Sequence, residues 1–67
     1  MTNQLKYIRE KLGMKQEALA MRAGTSQGKI SEIESGKCEP NVYLALRIAQ
    51  ALDTTVEEMF GERSERD

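Results

Sequence analysis

A chain of 67 residues is small, and a domain of this size buries only about 60% of its unfolded surface. With 39% hydrophobic and 31% charged residues, the composition is globular, not fibrous, disordered or membrane-spanning. The chain has no histidine, no tryptophan and the single cysteine Cys38, which excludes most catalytic and metal-site chemistry and any internal disulfide.

A lone thiol fits a reducing, intracellular setting. The longest apolar run, residues 42–46, is far too short to cross a bilayer, and the opening MTNQLKYIREK lacks the apolar core of a signal peptide. The net charge of −1 conceals an asymmetry. Residues 1–37 carry seven basic and four acidic side chains, whereas residues 38–67 carry three basic and seven acidic ones. An anionic partner is therefore expected to meet the first half.

The first helix is expected over about residues 3–12, with Leu5, Ile8 and Leu12 on one face. A second, Ala-rich helix over about 16–23 places Leu19 and Ala23 together, and a third over about 27–35 turns Ile30 and Ile33 inward behind the N-cap Ser26. Beyond Pro40 a fourth helix runs from about 41 to 52, with a buried stripe of Val42, Ala45, Ile48, Ala49 and Leu52. Its remaining apolar residues, Tyr43, Leu44 and Leu46, exceed what one face needs; they fit either a tiny core or a dimer patch. The fifth is a turn or two over Val56–Phe60, where Met59 and Phe60 are expected in the core and Thr55 and Glu58 have capping-box spacing. Gly13, Gly24, Gly36 and Gly61 each follow a periodic segment, as helix-ending glycines do. No stretch alternates as a strand would. The expected fold is all-α, a compact bundle of five short helices in one domain over 1–67, with a core at about 5–60 and a charged tail at 62–67.

The informative stretch is QEALAMRAGTSQGKISEIES, residues 16–35. Ala20 is small enough for a second helix to cross close over it, Gly24 can turn the chain at positive φ, and Ile30 and Ile33 lock that second helix down. Two helices joined by a tight turn need these residue types at these places.

The chain resembles the Cro/CI-type (XRE) helix-turn-helix repressors in their short, single-domain form. The resemblance covers about residues 5–60. It is carried by Ile8–Met14, Gln16–Ala20, the Gly24–Ser26 turn, Ile30–Lys37, the Pro40 helix start, Leu46–Leu52 and the V-E-E-M-F segment that ends at Phe60. It implies a bundle of about five helices that binds double-stranded operator DNA, usually as a homodimer, in a bacterial or phage-encoded cytoplasmic protein.

In that geometry the helix from Gln27 is the recognition helix, and Gln27, Gly28, Ser31 and Glu32 face base edges. Gln27 suits adenine at N6 and N7. Gly28 stands where the family carries a longer polar residue; it fits either close approach of DNA or a position that is not read. Glu32 fits either an acceptor for cytosine N4 or a solvated partner for Lys29. Gln16 is implied as a phosphate ligand at a helix N-terminus, with Lys15, Lys29, Lys37 and Asn41 as further phosphate candidates. Lysine at position 15 forgoes the cap that a Ser or Thr would supply. The resemblance also makes Arg9 and Glu34 a structural ion pair. Tyr43, Leu46 and Phe60 are the dimer candidates, and Cys38 is expected to be an exposed thiol.

The expected function is a sequence-specific DNA-binding transcriptional regulator, a repressor acting as a dimer on an inverted repeat. The alternative is a protein-interaction module, antitoxin-like, with weak DNA binding. No catalytic residue, metal, cofactor or membrane contact is expected, and so small a chain leaves no room for an effector pocket.

Overall fold

The computed structural model describes residues 4–61, which form five helices and no strand among the described residues. They are α1 (Leu5–Lys11), α2 (Gln16–Ala23), α3 (Gln27–Glu34), α4 (Val42–Ala51) and α5 (Val56–Phe60). Three of the starts are built alike. Ser26, Asn41 and Thr55 each sit in an extended conformation and accept the backbone N–H three residues on, from Lys29, Leu44 and Glu58. Each bond satisfies one of the donors that a helix start leaves unpaired. The capping box expected at Thr55 is only half formed, because the Glu58 carboxylate takes its bond from the Thr54 hydroxyl at 2.6 Å.

α2 packs against both α3 and α4, and α5 closes the bundle against α1 and α4. The Gln4 N–H donates to the Met59 carbonyl at 2.9 Å and fastens the start of α1 to the end of α5. Leu5, Leu19, Ile30, Ile33, Ile48 and Met59 are the largest fully buried side chains. Burying each of these stabilises the fold by roughly 1.5–3 kcal/mol over leaving it exposed. No buried polar side-chain atom among the described residues lacks a partner.

Four expectations about burial are corrected. Val42 is exposed and Leu44 takes its place in the core. The two positions lie about 200° apart around the helix, and the face of α4 that meets α2 runs through Leu44, Ala45, Ile48, Ala49 and Leu52. Leu12, the residue that follows the end of α1 at Lys11, is exposed. Phe60 packs against the core cluster but is only half-buried, short of the full burial expected of a core residue. Cys38 is half-buried too, because the loop after α3 folds back: its N–H reaches the Glu32 carbonyl at 3.3 Å and its side chain rests on the core.

Gly61, expected to cap α5 as the other glycines do, is extended with a φ of −69°, so it is not held there by a left-handed turn. The chain beyond α4 does turn left-handed, but at Asp53, with a φ of 58°. The charged tail at 62–67 lies outside the described residues.

Candidate nucleic-acid interface

The turn between α2 and α3 is fixed from three sides. Gly24 is left-handed at φ 73°, a conformation that costs glycine little and side-chain-bearing residues more. The next N–H, from Thr25, returns to the Ala20 carbonyl at 2.9 Å. Arg47 then reaches across from α4, and its Nε donates to the Ala23 carbonyl at 2.8 Å. A cation at a helix C-terminus satisfies an orphaned acceptor and suits the helix dipole. Sequence reasoning missed this contact, for which a lone arginine 24 residues away gives no local signal.

α3 starts immediately after this turn. Its inner side carries Ile30, Ile33 and Glu34, all buried, and its outer side presents Gln27, Gly28, Ser31 and Glu32 to solvent. A Cβ on Gly28 would meet only the Ser26 hydroxyl, at 4.0 Å, so the helix surface is open there.

Beneath that surface Arg9 and Glu34 form a buried ion pair with side chains 8% and 4% exposed. Arg9 Nε donates to Glu34 Oε2 at 2.6 Å and Nη2 donates to Oε1 at 3.2 Å. The remaining arm, Nη1, donates to the Met14 carbonyl at 2.7 Å, so the guanidinium also holds the loop after α1. The hydrogen bonds that Arg9 donates to Glu34 raise its pKa above its already high ordinary value, so its charge is permanent at any physiological pH. Burial of such a pair is tolerable because every arm is occupied.

Two amides extend this pair to the surface. Gln16, first residue of α2, donates from Nε2 to Glu34 Oε1 at 3.0 Å. Its Oε1 accepts from Gln27 Nε2 at 3.2 Å. A line of hydrogen bonds therefore runs from Arg9 through Glu34 and Gln16 to Gln27, the first residue of α3. The two links through Gln16 span 18 and 11 residues, beyond any local sequence rule.

Among the other expected phosphate ligands, Lys15 is exposed at the start of α2 and makes no cap bond there. Lys37 is exposed just past α3. Three candidates are less free than expected, Gln16 being the first, with its amide bonded at both ends. Asn41 spends its carbonyl on capping α4 at 2.8 Å. Lys29 is half-buried, and its Nζ donates to Cys38 Sγ at 3.4 Å. The solvated Lys29–Glu32 pair is consequently not formed among the described residues, because Lys29 turns towards the loop. On α4, Tyr43 and Leu46 are exposed, joined on that face by Val42.

No group of three or more His, Cys, Asp or Glu among the described residues could hold a metal ion, and no helix there is long and apolar enough to cross a membrane. The capped turn, the two crossing helices and the polar outer face of α3 define a helix-turn-helix unit inside a five-helix bundle. The helix-turn-helix family model HTH_3 matches residues 5–59.

The chain belongs to this family, the Cro/CI-type (XRE) helix-turn-helix transcriptional regulators. It is 40% identical over 60 residues to an uncharacterised HTH-type transcriptional regulator of Methanocaldococcus jannaschii, covering 90% of this chain and 91% of the relative. Its fold is similar to the P22 c2 repressor solved with a synthetic operator, with a TM-score of 0.83, 30% identity, and 88% of this chain and 91% of that one covered. It is also similar to the restriction-modification controller protein C.AhdI of Aeromonas hydrophila, with a TM-score of 0.80, 30% identity, and 85% and 86% covered. These are families and folds of transcriptional regulation, not of catalysis.

Proposed function

We propose that the chain is a single-domain, cytoplasmic, sequence-specific DNA-binding regulator without enzymatic activity, which represses by occupying an inverted-repeat operator as a homodimer. The observation that supports it most is Gln27. This residue stands at the exposed N-terminus of α3, with its amide held by Gln16 rather than left to rotate. Residues at that end of a recognition helix contact base edges when α3 lies in the major groove. Gly28, Ser31 and Glu32 follow on the same outer face. Lys15 and Lys37 flank it as phosphate ligands, with Gln16, Lys29 and Asn41 contributing less because their polar ends are engaged. Neutralising three phosphates, one for each of Lys15, Lys29 and Lys37, would give a log–log salt slope of about −2.7 per protomer. The exposed face of Val42, Tyr43 and Leu46 is the dimer contact, and two-fold symmetry would set the recognition helices about 34 Å apart.

That same apolar face favours one second reading, a protein-interaction module that binds DNA only weakly. Selection of bound duplexes from a random library at physiological salt separates the two. An enriched two-fold symmetric site supports the regulator. No enrichment above the starting pool would reject it and favour the interaction module.

A further inference from the structure

We propose that Arg47 is a positioning residue for DNA binding, setting from α4 the direction of the exposed end of α3 without touching DNA; this rests on the DNA-reading role of α3 given above. Core packing does not hold that end of the helix. Ala23 and Ile30 are fully buried, but no side chain in residues 24–29 is: Thr25 and Lys29 are half-buried and the others exposed. The exposed stretch includes Gly28, which weakens the first turn of α3. Its direction is therefore set where the chain leaves the core, at Ala23 and Gly24.

The turn satisfies two of the last carbonyls of α2 by itself. Thr25 N–H reaches Ala20 at 2.9 Å, and Gly24 N–H reaches Met21 at 3.3 Å. The carbonyl of Ala23, the last residue of α2, has Arg47 Nε instead, at 2.8 Å. A peptide unit is planar, so a bond that holds this carbonyl holds the whole Ala23–Gly24 unit. Glycine has the widest choice of φ and ψ, so the orientation of the unit before it needs an outside hold. The guanidinium lies against the turn, its Nε 3.8 Å from where a Cβ on Gly24 would stand. With the bond lost, the end of α3 samples other directions, and apparent affinity falls by the fraction that remains competent.

Two neutral substitutions separate this role from an effect of charge. In Arg47→Gln the amide Nε2 stands as many bonds from Cα as the arginine Nε and can donate to the same carbonyl. In Arg47→Met a methyl group takes that place and cannot. Thr55→Ala, which removes the α5 cap, is the control for general destabilisation. Dissociation constants are measured on the duplex that the wild type enriches from a random library, at a temperature where circular dichroism shows every variant folded. Arg47→Met is expected to bind about tenfold more weakly, as when one molecule in about ten is competent. Arg47→Gln and Thr55→Ala are expected within about threefold of the wild type.

Arg47→Met with wild-type affinity would overturn the inference. Arg47→Gln as weak as Arg47→Met would do so too, and a salt slope shallower by about 0.9 per protomer would then mark a direct phosphate contact. A loss in Thr55→Ala equal to that in Arg47→Met would assign the effect to stability instead. If Arg47→Met does not fold, Arg47→Gln decides: near-wild-type affinity supports the bond, and a tenfold loss, taken as about that size, refutes it. Hydrogen exchange reads the same tie without DNA. The amides of Lys29 and Ile30 both bond to Ser26 at 3.1 Å. In Arg47→Met they should exchange about tenfold faster, while that of Ile8 in α1 keeps its rate. A wild type that enriches no duplex removes the DNA reading, and the exchange rates then judge the tie alone; equal rates would overturn it.

Discussion

Replacing Lys15 with serine separates what that position costs the fold from what it gives to DNA binding. Lys15 occupies the N-cap of α2 with φ −83° and ψ 159°, the same extended conformation as Ser26, Asn41 and Thr55, yet it alone of the four makes no cap bond. In those three the side-chain oxygen lies 2.8–3.1 Å from the N–H three residues on. A serine at 15 has the backbone to do likewise towards Ala18. The new cap is worth about 1 kcal/mol, and removing an exposed cation from the positive end of a helix adds about 0.3 kcal/mol. For a domain of this size that sum raises Tm by roughly 5–10 °C. Operator affinity should move the opposite way. Losing one phosphate contact in each protomer makes the log–log salt slope shallower by about 0.9, or about 1.8 for a dimer. Calorimetry or thermal melting followed by circular dichroism measures the first effect, and fluorescence titrations between 50 and 300 mM salt, taken as about that range, measure the second. A flat Tm would refute the capping assignment. Weaker binding with the wild-type slope would refute the phosphate role.

Three further outcomes are expected. Arg9→Met should cost about 3–5 kcal/mol in urea denaturation, because Glu34 is left charged in a site where its side chain is 4% exposed. Arg9→Met combined with Glu34→Leu should cost much less, and a double variant as unstable as the single would contradict the buried-charge account. Gly28→Ala should stabilise the chain by about 1 kcal/mol in the same measurement, since the added Cβ meets only the Ser26 hydroxyl at 4.0 Å. A loss of stability would show that the helix surface is not open there. On the proposed dimer contact, the wild type is expected to sediment as a dimer and Leu46→Asp as a folded monomer at the same concentration, and a Leu46→Asp dimer would move the interface away from α4.

The limits of α2 and α3 were legible because their signals are local. Gly24 ends one helix with a left-handed turn, and Ser26 starts the next with a cap three residues long in reach. The inward face of α4 was not legible, because residues 42–46 are apolar in succession and a run without polar gaps does not mark a single face. Packing against α2 chose Leu44 over Val42, and that choice depends on where another helix lies. Cys38 and Lys29 follow the same pattern: both are small-scale surface expectations undone by a loop that folds back on the core. At the site, the outer residues of α3 follow from its start and its period. The pairing of Arg9 with Glu34 was available only through family resemblance. The two bonds of Gln16 were visible through neither, since they tie the start of α2 to both ends of α3, which meet it only in the folded chain.

Arg47 gives α4 a second task beside filling the core. α2 and α3 have eight residues each, and isolated helices shorter than about 12–15 residues are marginal in water. The turn that joins them is braced by a side chain whose own helix carries Val42, Tyr43 and Leu46 on its outer surface. No loop intervenes between that surface and the brace. Through Arg47 the position of α4 is tied to the end of α2, and the left-handed turn at Gly24 carries that tie on to the start of α3.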